Sequence, residues 1–169
     1  MPAMKNKKSF TKKNTKMKNV KISSEGINHC AIDLGIFDQL TDYSYMHPKR
    51  HQEVKGKQFV GEILKTTGAE ISFQILPPHT ELPFLHQHRR HEEIYVFLKG
   101  SGQFQVDESV FDVSEGSVIR ISPDGKRTYR NNSENPLIFM CIQCRAGSLE
   151  SYFIEDGFRA DGEISWNKK

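Results

Sequence analysis

Two histidines two residues apart, His86 and His88, followed five positions later by Glu93, have the types and spacing to do chemistry. On an extended strand, residues i and i+2 leave the same face, roughly 6.5 Å apart at the backbone, so both imidazoles can converge on one ion. Glu93 lies an odd number of residues beyond His88 and would face away on an unbroken strand. Arg89 to Glu92 must therefore hold a bulge or turn that brings the carboxylate back. Two imidazoles and one carboxylate make a facial-triad ligand set, suited to iron(II), manganese, nickel or zinc. A His-x-His pair alone is also an ordinary polar strand entrance, so its surroundings decide.

Tyr95 and Phe97 share the parity of Glu93 and are predicted to line the same pocket; the Tyr95 hydroxyl needs a partner there. His91 falls in the break and reads as a rim histidine. Glu92 has the opposite parity and is expected to face solvent or a neighbour, and His79 follows two prolines in a loop. Gln103 and Gln105, or Cys141 and Gln143, can supply further interior polar groups, with parity alone not saying which. Cys144 stands beside Arg145, but no general base is placed near it, so a thiol nucleophile is not expected.

The elements that must position these residues are short β-type runs. They fall at Gln58–Leu64, Glu70–Leu76, Glu93–Lys99, Gly102–Val106, Val110–Val113, Ser117–Ser122 and Pro136–Cys144. Turn residues separate them, among them Pro77-Pro78, Gly100-Ser-Gly102, Glu115-Gly116 and Pro123-Asp-Gly125. Many short strands at close spacing without intervening helices predict an all-β, antiparallel sandwich or barrel. Ile94 to Leu98 and Leu137 to Cys144 are apolar on both parities, where a strand with one wet face would alternate. Both faces should therefore be covered, by a second sheet and the 23–56 segment or by another subunit. A homodimer made through sheet packing is the expectation.

The run Pro83-x-x-His86-x-His88-x4-Glu93-x6-Gly100 resembles the first motif of the cupin superfamily. The stretch Gly116 to Asn131 is similar to the second, Gly-x5-Pro-x-Gly-x2-His-x3-Asn, in length and at both ends. Inside, Ser122 and Asp124 stand at the Pro and Gly positions, and Arg127 stands where the family has its third metal-binding histidine. The resemblance covers about residues 58 to 145. It implies a cupin barrel (a double-stranded β-helix or jelly roll) whose mouth binds a small molecule, with His86, His88 and Glu93 holding a divalent transition metal.

A guanidinium has no lone pair to donate, so Arg127 cannot be a ligand. Three readings follow. Arg127 grips an anionic substrate beside the metal, with Tyr95 orienting it. Or it pairs with Glu93 and replaces the ion. Or it points outward and another group completes the shell. The function expected is a small-molecule-binding barrel with a metal site, possibly an enzyme acting on a small anionic or polar organic substrate. The alternative is a metal-free binding or protein-interaction module.

Composition bounds the rest. The chain has 169 residues, 36 % hydrophobic and 27 % charged, enough for one domain. Eight lysines and no acid fall in residues 1–21; without them 16 Lys and Arg face 21 Asp and Glu, so the body is net −5. An acidic body argues against nucleic acid as the main ligand. No apolar run reaches the roughly 20 residues of a membrane helix, and no secretory leader is expected at the start. Three cysteines form no even framework, which predicts reduced thiols and a cytoplasmic protein. The expected division is a disordered Lys-rich tail (1–22), an N-terminal arm (23–57), the barrel (58–145) and a C-terminal extension (146–169). The last is expected to hold a short helix and an extended piece around Trp166.

Overall fold

The structure is a computed structural model and describes residues 19–49 and 51–166. The hairpin β1 (Lys21–Gly26) and β2 (His29–Asp33) leads through a 3-10 turn at Phe37–Asp42 into β3 (Ser44–Met46) and β4 (Glu53–Lys55). Then come β5 (Lys57–Phe59), helix α1 (Gly61–Leu64), β6 (Ala69–Leu76), β7 (Thr80–Glu81) and β8 (His91–Lys99). The chain finishes its strands with β9 (Ser101–Val106), β10 (Ser109–Ser114), β11 (Val118–Ile121), β12 (Arg127–Asn131) and β13 (Leu137–Arg145).

Two antiparallel sheets face each other, one ordered β11-β8-β13-β6-β5 and the other β10-β9-β12-β7. Between them the inward parities of β8, β9, β12 and β13 meet in an aromatic core of Tyr95, Phe97, Phe104, Tyr129 and Phe139. Edge-to-face contacts such as Tyr95 on Phe104 (5.0 Å) and Tyr129 on Phe139 (5.1 Å) fill the barrel below its mouth.

The apolar residues of opposite parity pack outward beneath the N-terminal arm. Leu34, Leu40, Tyr43 and Val60 lie against Ile75 and Ile138. Lys99 Nζ also reaches the Asp38 carboxylate at 2.7 Å. The arm therefore packs on this face of the five-stranded sheet.

Several expectations need correcting. The tail lies outside the described residues up to position 18, but β1 already begins at Lys21, inside the stretch read as disordered. The strand expected over Gln58–Leu64 ends at Phe59. Gly61 N–H donates instead to the Glu70 carboxylate (2.9 Å) and Leu64 N–H to Val60 C=O, which winds a helical turn. Arg127–Asn131, not among the runs expected as strands, forms β12, with buried Arg127 and Asn131 both hydrogen-bonded. No helix forms among the described residues of 146–166.

Glycine freedom matters at Gly100, between β8 and β9. Its φ is +83°, and a Cβ there would collide with the Pro136 carbonyl.

Candidate functional site

The segment 80–88 runs antiparallel to β12, with His86 N–H and C=O exchanging 3.0 Å hydrogen bonds with Arg127. Paired residues point the same way, so His86 and Arg127 both face the interior. The chain then bends at Arg89 and Arg90, held by His88 N–H on Pro123 C=O (3.2 Å), and β8 starts at His91. This is the expected break, and it returns Glu93 to the inner face above Tyr95.

The result is a three-residue cluster at the mouth. One ligand atom each from His86, His88 and Glu93 lies within 4.8 Å of the others, a grouping that could hold a metal ion. His88 Nε2 stands 2.9 Å from Glu93 Oε1, and His86 Nε2 stands 3.9 Å from Oε2.

Glu93 is 2 % exposed and Arg127 is completely buried. Arg127 Nε and Nη2 both donate to Glu93 Oε2, at 2.9 and 2.5 Å, while Nη1 donates to Gly125 C=O at 3.1 Å. Tyr95 O–H donates to the same Oε2 (2.8 Å), and Gln143 Nε2 donates to Oε1 (2.9 Å). Burial alone would raise the Glu93 carboxyl. The His88 hydrogen bond, the Arg127 charge and hydrogen bond, and the Tyr95 hydroxyl instead hold it well below the usual carboxylate range. Burial, followed by the Arg127 charge, lowers His86 to about 4 and keeps its ring neutral near neutral pH. The buried His86 Nδ1 has no hydrogen-bond partner.

The donor types suit a divalent ion, but their bonding does not. A carboxylate offers about four lone-pair positions. Glu93 already accepts from Arg127 twice, Tyr95, His88 and Gln143. The His88 bond also needs its proton on Nε2, the atom a metal would take. In this arrangement protein donors fill the Glu93 acceptor positions, so a metal on this trio would require some of those bonds to open.

Arg127 and Tyr95, the residues expected to touch substrate, both stand against the Glu93 carboxylate. Arg127 has no exposed surface, and each of its three side-chain nitrogens makes one hydrogen bond. Tyr95 is 3 % exposed, its hydroxyl spent on Glu93 and its ring in the core. Burial pushes the Tyr95 hydroxyl well above its ordinary pKa, so it stays protonated and orients Glu93. Gln143 joins the site, whereas Gln103 and Gln105 sit on the outer face of their sheet. Gln103 bonds Arg130, and Gln105 bonds a backbone carbonyl. Burial raises Cys141 to about 12, with Glu93 adding to it, and also raises Cys144; neither is a thiolate nucleophile.

Sequence reasoning missed Lys57. It pairs with Gln74 in β6, whose inward amide accepts the Tyr129 hydroxyl at 3.1 Å, so Lys57 also points inward. Its ammonium lies 4.9 Å from the Phe59 ring centroid. Burial lowers its pKa against the pull of Cys141 and Glu93. It makes no hydrogen bond among the described residues. The signal available in the sequence was parity alone: Lys57 and Phe59 share a face of a strand whose end was drawn five residues too late.

A family model described as the Cupin domain matches residues 72–143. A cupin protein from Bacteroides fragilis is 40 % identical, with 62 % of this chain and 88 % of that one covered, at a TM-score of 0.59. A predicted oxalate decarboxylase from Thermotoga maritima shares the fold at 19 % identity and a TM-score of 0.52, covering 65 % of this chain and 96 % of that one. An uncharacterized protein of Methanocaldococcus jannaschii is 29 % identical over 96 residues, 57 % of this chain. The match spans 66 % of that relative, just under two thirds of its length. No helix among the described residues is long and apolar enough to cross a membrane.

Proposed function

The chain belongs to the cupin family, and from that premise we propose that it is a metal-free, small-molecule-binding barrel whose ligand is a small organic anion. One observation carries this reading: two inward cations, Arg127 and Lys57, face the single carboxylate of Glu93. Arg127 is neutralised by Glu93; Lys57 is left with a ring face and no acceptor. A net positive interior of low dielectric costs free energy unless an anion enters it. His86, with an unpaired Nδ1, offers a second polar contact. The two stand at the edges where the sheets meet, Lys57 on β5 and His86 on the strand continuing β7. A small carboxylate fits this pair by charge and by acceptor count.

The test is a thermal-shift and calorimetric panel of small mono- and dicarboxylates against their neutral amides. A ligand that binds only the folded state raises the transition in proportion to its concentration over Kd. Carboxylates should bind and amides should not, with Lys57→Met weakening binding at least about tenfold. Absence of carboxylate binding up to about 10 mM, or binding untouched by Lys57→Met, overturns the reading.

A second reading keeps the ion. The 4.8 Å grouping favours iron, manganese, nickel or zinc on His86, His88 and Glu93, with a possible enzymatic role, once Arg127 has moved off Oε2. Elemental analysis after reconstitution separates the two. A full equivalent of transition metal supports the second reading, and less than about a tenth removes it.

A further inference from the structure

Lys57 faces the barrel interior from an edge strand. Strand β5 is the last of the five-stranded sheet, and the pairing of Lys57 with Gln74 turns both side chains inward. Gln74 accepts the Tyr129 hydroxyl at 3.1 Å, and the Lys57 ammonium lies 4.9 Å from the Phe59 ring centroid. Among the described residues Lys57 makes no hydrogen bond and no ion pair. Residues 1–18, 50 and 167–169 contain no aspartate or glutamate, so they bring no side-chain carboxylate to it. The residue is part-exposed at the edge of its sheet, which gives a small solute its approach.

Burial acts on this amine in the opposite chemical sense to its effect on the other interior nucleophiles. A buried ionisable group favours its neutral form. For Cys141, Tyr95 and Tyr129 that form is the protonated thiol or phenol, which is a poor nucleophile, and burial raises all three. For an amine the neutral form is the nucleophile, and burial lowers Lys57 against the pull of Cys141 and Glu93. The same interior that silences the thiol and the phenols readies the lysine.

We infer that Lys57 bonds covalently, as a Schiff base, to the carbonyl carbon of a small 2-oxo acid. The inference rests on the anion-binding reading above and names the class of anion. The neutral amine adds its lone pair to the carbonyl carbon, forming the C–N bond, and the carbonyl oxygen takes up a proton. The nitrogen lone pair then expels that oxygen as water and leaves a protonated imine. Ammonium and carbonyl become iminium and water, with no oxidant or reductant consumed. The positive charge of Lys57 survives the step, and in a 2-oxo acid the carboxylate is bonded directly to the imine carbon. That adduct carries its own counter-charge into an interior that disfavours an unpaired cation, whereas a neutral aldehyde would leave the iminium uncompensated. The difference selects the acid.

Incubating the full chain at neutral pH with pyruvate or glyoxylate and cyanoborohydride, then mapping its peptides by mass spectrometry, tests this. Hydride from the reagent fixes any imine as a secondary amine bearing a carboxyalkyl group. Lys57 should be labelled at least about tenfold faster than Lys55, which is exposed. The wild type should bind pyruvate at least about tenfold more tightly than lactate, its hydroxy counterpart, and Lys57→Arg should bind the two alike. Labelling needs no variant, so it decides even where Lys57→Arg fails to fold. Pyruvate and lactate bound alike, with Lys57 labelled no faster than Lys55, keep the anion reading and overturn the inference. Neither acid bound up to about 10 mM, with no adduct on Lys57, overturns both.

Discussion

Replacing Arg127 by methionine keeps much of its length and apolar contact but removes the guanidinium charge bonded to Glu93. The native pair comprises a fully buried guanidinium and a carboxylate 2 % exposed, joined by two hydrogen bonds on one oxygen. Breaking a buried pair from one side costs about 3–5 kcal/mol, because the remaining charge stays out of water. Three donors survive on Glu93, from His88, Tyr95 and Gln143, which places the expected loss near the lower figure. Glu93→Gln alone leaves the guanidinium uncompensated and should cost a similar amount. The double variant removes both charges, so its loss should fall well short of the sum, with a coupling of at least about 2 kcal/mol. Urea unfolding of the four proteins at pH 7 measures the cycle. A loss under about 1 kcal/mol for Arg127→Met, or additive losses in the double variant, would refute the claim that the two form one buried unit.

Stability should also fall with acid. His86 binds its proton near pH 6.5 when unfolded but only near 4 when folded, so its contribution is full above 6.5 and is lost as pH drops through 4. The shift corresponds to at most about 3 kcal/mol, and His86→Asn should flatten the urea midpoint across that window. Glu93, held low in the fold, adds a further loss below about pH 4.5, where the unfolded carboxyl starts to take its proton. Asn131 is fully buried and donates to the Leu76, Pro77 and Asn135 carbonyls at 2.8–3.0 Å. Asn131→Leu strands those acceptors and should cost at least about 3 kcal/mol by chemical denaturation; a loss under about 1 would mean water replaces the amide. Gly100→Ala adds a left-handed backbone penalty to a clash with Pro136 and should lower the melting temperature by several degrees, whereas an unchanged value would show that the β8–β9 turn relaxes freely.

Much of this protein follows from local spacing. Period-two alternation and the turns between runs specify the strands. The Pro83-to-Gly100 run resembles a cupin motif, which implies the barrel, and the odd step from His88 to Glu93 demands the bend that forms at Arg89 and Arg90. What lay beyond that reach depends on distant partners. Gln58–Leu64 reads as strand until the Glu70 carboxylate takes the Gly61 N–H and turns it into helix. Arg127–Asn131 shows no strand pattern in the sequence, and becomes β12 with Glu93 and three backbone carbonyls bonded to its buried Arg127 and Asn131 side chains. Lys57 shows nothing in the sequence but a lysine at the start of an apolar run; in the fold it stands over the Phe59 ring and makes no hydrogen bond among the described residues.

By itself, the sequence determined which residues share a strand face and that His86, His88 and Glu93 would gather at one end of a barrel. Periodicity and turn chemistry are local, and both survive any arrangement of the remaining chain. Whether that cluster stays open to an ion was a tertiary decision. Glu93 is on β8 of one sheet and Arg127 on β12 of the other, 34 positions later, so only the closing of the two sheets brings guanidinium to carboxylate. Once that contact forms away from water, the carboxylate is filled by an arginine.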